Sequence, residues 1–375
     1  MQRPDPVLSV VWYQVRPSTF GGQKGIAHFS QCLGLHLPLR MLCSRNNAFK
    51  GIESYDHDAV LPVSKTQFID PTAWREIERT LVRNGSSTLL LEHCYYGLTG
   101  IWLKRKHNCR LVVHSHNIEY LRFREQGKWW WPLLYRIEKA AHRHADLSLF
   151  KTEEDMAQGI DKFRLDPGKC MVVPYGTQRT KAPGPGERSE ASAWLREKFG
   201  IPNEKKVLLF NGTLDYVPNA RAVERIVGSI LPLLGDAFHV IVCGRILHPH
   251  FKGLKELKGP NYTYAGFVDD IDFYFLGADA FINPVHQGGG IKTKVVEALS
   301  WGLPVVSYRS GATGISRDLC GTMLSLVGDL DDRAFAETVR QINYSDALPD
   351  AFYQHYDWQR ITGTVANRIR QLQAE

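Results

Sequence analysis

The chain has 375 residues, 43% of them hydrophobic and 23% charged, with a formal net charge of +7 at pH 7. That is a soluble globular composition with room for two cores, and no apolar run is long enough to span a bilayer. The positive charge favours anionic partners, yet no concentrated basic stripe with interleaved aromatics argues for nucleic acid.

The start, Met1 to Pro6, leads directly into a strand pattern without the apolar core of a signal peptide. Seven cysteines at 32, 43, 94, 109, 170, 243 and 320 form no CxxC pair. Dispersed thiols in odd number imply a reduced, cytoplasmic protein, not a disulfide framework or zinc site.

Residues 8–13 are strand-like and lead through Gly21-Gly22 into a helix carrying Phe29 and Leu33. Short apolar runs follow at 88–91, 111–114 and 147–150, with helical spacing between them. Continuous apolar strands separated by helices predict a parallel sheet covered on both faces. Between the last two runs, Trp129, Trp130 and Trp131 stand among Arg122, Arg124, Lys128, Arg136, Lys139 and Arg143. This is a candidate surface for anionic headgroups or an acceptor. The structural alternative packs Trp130 and Leu134 inward and solvates the charges.

The Pro/Gly-rich segment 180–187 breaks the pattern and predicts an exposed linker. Alternation restarts with a strand at 207–210, Asn211-Gly212-Thr213, and a helix from 219 to about 234. Further strands are expected at 239–244, 262–265, 278–282 and 305–307. Two doubly wound α/β domains result, over 1–180 and 181–351, with a helix at 352–375. That tail carries Trp358, Ile361, Val365 and Ile369 on one stripe and is expected to pack back on the first domain.

The densest motif is Asn283-Pro284, Gly288-Gly289-Gly290-Ile291-Lys292-Thr293-Lys294 and Glu297-Ala298-Leu299. A strand runs into three glycines expected to open an amphipathic helix. Glycine lets peptide N–H groups approach a ligand, and a helix N-terminus adds partial positive charge. Two lysines in a first turn oppose the helix dipole unless an anion sits there. Glu297, three residues beyond Lys294, shares its flank. The pattern predicts a diphosphate site with a carboxylate for a sugar hydroxyl. Against it stands an ordinary Gly-rich turn beside a core helix of Val295, Val296 and Leu299.

Ligands of doubly wound sheets bind at the carboxyl ends of strands. Four clusters fall there: Gly21-Gly22, His114 to Asn117, Asn211 to Thr213, and Gly288 to Glu297. On these motifs, with Val113 to Glu119, Pro174-Tyr175-Gly176 and Phe210 to Thr213 in order, the chain resembles the family-four retaining glycosyltransferases of the GT-B fold. The resemblance covers nearly the whole chain. It implies two Rossmann-like domains facing a central cleft, the second binding a nucleotide sugar.

Residue by residue, the resemblance implies that Gly21 and Gly22 approach the diphosphate and transferred sugar, and that His116 lines the transfer site. His114 shares a face with His116, so the residues themselves leave open which of the two matters. Glu297 matches the carboxylate that binds the ribose. Gly212, Thr213, Gly289, Gly290 and Ile291 join the donor site, and Val268 lies in the loop that meets the base. The first glutamate of the family's pair is replaced here by Gly289. The basic residues often found after the first strand of the second domain are also missing. Lys292 and Lys294 are the natural replacements, Lys294 acting in catalysis, and Arg245 is a further strand-end candidate.

The expected reaction moves a hexosyl group from a nucleotide-diphosphate sugar to a hydroxyl acceptor in polysaccharide or glycolipid synthesis. A lipid-linked acceptor and peripheral contact with the inner membrane face are part of that expectation. Neither cofactor nor metal is expected, because helix N–H groups and lysines carry the charge and Asp269-Asp270 reads as a helix cap. A nucleotide-sugar epimerase and a non-catalytic nucleotide-binding relative are the alternatives. A dehydrogenase fails, since residues 14–25 hold no GxGxxG.

Overall fold

A computed structural model describes residues 5–64, 66–246, 253–254, 256–257 and 259–375. Met1 to Pro4 lie outside them. The chain forms two compact units, Met1–Gly176 with Gly289–Ile291 and Trp358–Glu375, and Thr177–Gly288 with Lys292–Asp357.

The first unit holds strands β1 (Val7–Val11), β2 (Leu39–Ser44), β3 (Asp56–Leu61), β4 (Thr88–Glu92), β5 (Arg110–His114), β6 (Leu147–Phe150) and β7 (Cys170–Val172). They form one parallel sheet in the order β3-β2-β1-β4-β5-β6-β7. The second unit holds β8 (Lys206–Asn211), β9 (Phe238–Cys243), β10 (Tyr262–Gly266), β11 (Ala280–Asn283), β12 (Val305–Tyr308) and β13 (Leu324–Val327). Its parallel order is β10-β9-β8-β11-β12-β13. Both are the doubly wound sheets predicted.

The central strands are buried throughout and largely apolar because helices cover both faces. Every residue of β1, β4, β9, β11 and β12 is buried. Each buried Val, Leu or Ile side chain contributes about 1.5–3 kcal/mol relative to exposure. The edge strand β3, Asp56-His57-Asp58-Ala59-Val60-Leu61, opens on three polar residues and buries only Leu61, which guards an open edge.

Three local expectations are corrected. The segment at 180–187 is not all linker, since a helix starts at Pro185, with Glu187 accepting the Gly184 N–H at 2.9 Å. Proline at a first helical position costs no hydrogen bond. The tail is not one helix but two, Asp350–Tyr356 and Trp358–Ala374, and the second packs with the first unit. Trp358 is buried against Tyr175 and Phe29, and a Cβ on Gly176 would come within 2.6 Å of its ring. Finally, the three glycines precede a helix that begins at Thr293 with Lys292 as its cap residue.

Candidate active site

Each sheet reverses its strand order once, between β1 and β4 in the first unit and between β8 and β11 in the second. Ligand sites of such sheets form at that point, outside the carboxyl ends. The predicted residues collect around these two places.

In the first unit, Gly21 and Gly22 open the helix Gly21–Leu33. A Cβ on Gly22 would lie 3.1 Å from the Phe20 ring, which stacks on Tyr13. Glu92 closes β4 in register with His114 of β5. Its Oε2 is 2.6 Å from His116 Nε2 and 3.0 Å from His114 Nδ1. The His116 ring sits between those of His93 and His114, at centroid distances of 4.5 and 4.4 Å. His93 itself adopts a positive φ of 71°, a conformation uncommon outside glycine. His114 is sealed, whereas the His116 side chain keeps 10% of its surface open. Of the two imidazoles that sequence left open, only His116 keeps any surface accessible.

Burial above all, then His114, His93 and Lys151, holds the His116 imidazole well below its ordinary range. Lys151 follows β6, is 3% exposed, and has no hydrogen-bond partner among the described residues. Its ammonium lies 5.7 and 5.9 Å from the Phe29 and Trp358 rings, and burial pushes it down to about 8. Glu119 accepts hydrogen bonds from Tyr95 at 2.7 Å and from Arg122. Glu138 in turn accepts the backbone N–H groups of Glu119 and Tyr120 at 2.8 and 2.9 Å, fixing the start of the helix Glu119–Glu125. Glu92, His114 and His116 place ligand atoms close enough to share an ion. Glu92 Oε2 is already engaged by His116 Nε2, and the buried Lys151 cation disfavours a second positive charge there.

In the second unit the strand ends meet through glycine backbone. Gly212 N donates to Cys243 O at 3.1 Å and Gly244 N to Gly266 O at 2.8 Å. A Cβ on Gly244 would stand 2.0 Å from Gly212 O, so only glycine fits. Asn219 donates to Thr213 O at 2.9 Å and accepts from Lys294 Nζ at 2.7 Å. The Lys294 ammonium lies 4.2 Å from the Phe210 ring, and a Cβ on Gly212 would come within 3.2 Å of it. Burial, then the charge of Lys292, lowers Lys294 well below the usual lysine range, with Glu297 opposing. Lys292 donates to Gly288 O. Gly212, Thr213, Lys292, Lys294 and Glu297 therefore share one unit, while Gly289, Gly290 and Ile291 group with the other. A Cβ on Gly289 would meet nothing within 4 Å. The Arg245 side chain is exposed, its carbonyl accepting Leu214 N–H at 3.2 Å, and Val268 is half-buried after Gly266. Asp270 caps its helix through the N–H groups of Asp272 and Phe273, as expected.

Sequence reasoning missed Glu92, Lys151 and Asn219. Glu92 and Lys151 each stand at the carboxyl end of a recognised apolar run, a position that was the available signal. In the sequence Asn219 reads only as the start of a helix.

Two family models match the chain, together over more than two thirds of it. The glycosyl transferase 4-like domain matches residues 50–176 and the glycosyl transferases group 1 residues 205–343. A D-inositol 3-phosphate glycosyltransferase of Streptomyces coelicolor is 23% identical over 60% of this chain and 54% of its own length. An alpha-monoglucosyldiacylglycerol synthase of Streptococcus pneumoniae is 23% identical over 56% and 49%. The chain thus spans about half the length of the curated relatives it matches. Among solved structures, sucrose-phosphate synthase from Thermosynechococcus elongatus superposes with a TM-score of 0.78 at 16% identity, over 99% of each chain. Anabaena HepE in complex with UDP gives a TM-score of 0.75 at 14% identity, over 98% of this chain and 100% of that one. With both halves matched in order and the fold shared, the chain belongs to the family-four glycosyltransferases of the GT-B fold.

Proposed function

We propose that the protein transfers a hexosyl group from a nucleoside-diphosphate sugar to a hydroxyl acceptor, with retention of configuration and without a metal ion, in glycolipid or polysaccharide synthesis. The observation that carries this reading is Lys294 held by Asn219 over Gly212 at the switch point of the second sheet. A desolvated cation fixed before reaction stabilises a departing diphosphate far more than one in water does. Lys292 adds a second positive charge, and Glu297 supplies an acceptor for ribose hydroxyls. In a same-face displacement the leaving diphosphate takes the acceptor proton, so the chain need supply no nucleophile. UDP is the first nucleotide to try, since a structural neighbour was solved with it.

A lipid-linked acceptor fits the diacylglycerol-modifying relative. Trp129 and Leu133 are 87% and 59% exposed beside exposed Arg124, Lys128 and Arg136. Trp130 packs on Phe123 and Trp131 near Tyr120, so those two rings belong to the fold.

Incubation with a panel of nucleotide sugars and lipid or saccharide acceptors tests the reading. It predicts a product of unchanged anomeric configuration at undiminished rate in EDTA. Chelation that abolishes turnover, restored by magnesium or manganese, contradicts metal independence. Inversion at the anomeric carbon contradicts retention.

A further inference from the structure

Glu92 is 2% exposed, and its Oε2 lies 2.6 Å from His116 Nε2. An ionised carboxylate only accepts, so this contact requires the hydrogen on Nε2. Burial works to raise the Glu92 carboxyl, but hydrogen bonding and charge from His114 and His116 hold it well below the usual carboxylate range. With neutral rings the hydrogen bonds and the Lys151 ammonium still favour the carboxylate. A neutral imidazole carries a single N–H, so committing Nε2 leaves Nδ1 bare. A second proton is opposed by burial, by the His114 and His93 rings on either side, and by the Lys151 ammonium, which has no hydrogen-bond partner among the described residues. No hydrogen bond joins the remaining nitrogen to a described residue, and the His116 side chain keeps 10% of its surface open.

We propose that Glu92 is a positioning residue that locks His116 in the tautomer with its Nε2–H turned inward, so that Nδ1 presents an acceptor to a substrate hydroxyl. A bare ring nitrogen has nothing to offer a phosphate oxygen. His116 thereby selects a sugar or acceptor hydroxyl, and the phosphate is left to other groups. The identity of that hydroxyl rests on the transferase reading; the tautomer does not.

Imidazole nitrogen spectra of the full ¹⁵N-labelled chain, assigned with His116→Ala, test the tautomer directly. The expected wild-type signature is a protonated Nε2 and an unprotonated Nδ1. In Glu92→Leu, or in Glu92→Gln should leucine prevent folding, the Nδ1–H population rises. Kinetically, the Glu92 variant lowers kcat/KM about tenfold and adds little in the His116→Ala background, as expected of coupled residues. A wild-type Nδ1–H tautomer, a spectrum unmoved by substitution at 92, or full additivity with His116→Ala overturns the proposal. Should no nucleotide sugar turn over at all, the transferase reading fails while the spectra still decide the tautomer.

Discussion

Gly244 shows how one missing side chain shapes the candidate donor site. The added methyl of Gly244→Ala would stand 2.0 Å from Gly212 O and 2.9 Å from Leu214 Cγ. Backbone cannot yield as a flexible side chain does, so the loops after β8 and β9 must part. We expect a loss of about 1–3 kcal/mol in denaturant unfolding, together with weaker nucleotide binding. Wild-type stability and affinity would show that the loops tolerate separation. Gly289 is the opposite case, since a side chain there would meet nothing within 4 Å. The absence of the family's first glutamate is therefore not forced by packing.

At the scale of elements, the strands that sequence revealed are mostly those buried on both faces, the half-buried edge strand β10 being the exception. Residues 88–91, 111–114 and 147–150 read as uninterrupted apolar runs and became β4, β5 and β6. The strands overlooked lack that signature for physical reasons. β3 is an exposed edge carrying Asp56, His57 and Asp58, and β7 has three half-buried residues. β2 is interrupted by Arg40, and β13 by Ser325, with its two central residues half-buried. The candidate site was legible where chemistry follows chain order, as in Gly288 to Glu297. It was illegible where it depends on neighbouring strands. Glu92 meets His116 because β4 pairs with β5, and Asn219 meets Lys294 across 75 positions of sequence.

At the scale of the whole molecule, no helix among the described residues is long and apolar enough to cross a membrane. Contact with lipid would then depend on surface chemistry. A net charge of +7 and the exposed Trp129 and Leu133 supply the two components of such binding, headgroup attraction and apolar insertion. Flotation with anionic vesicles at low salt should recover the protein, and Trp129→Ala with Leu133→Ala should abolish recovery without altering nucleotide affinity. Wild-type protein left at the bottom of the gradient would refute the membrane surface.

The diphosphate assignment is tested most directly by calorimetry of UDP and uridine with wild type and with Lys292→Ala/Lys294→Ala. Because the free Lys294 is shifted well below the usual lysine range, part of it is neutral as pH rises. An arriving diphosphate favours the charged form, so binding should take up protons, visible as a heat that varies with buffer ionisation enthalpy. The account predicts that the double variant loses about tenfold or more in UDP affinity, loses the proton uptake, and binds uridine as wild type does. Equal weakening of UDP and uridine, or UDP binding unchanged, would contradict it.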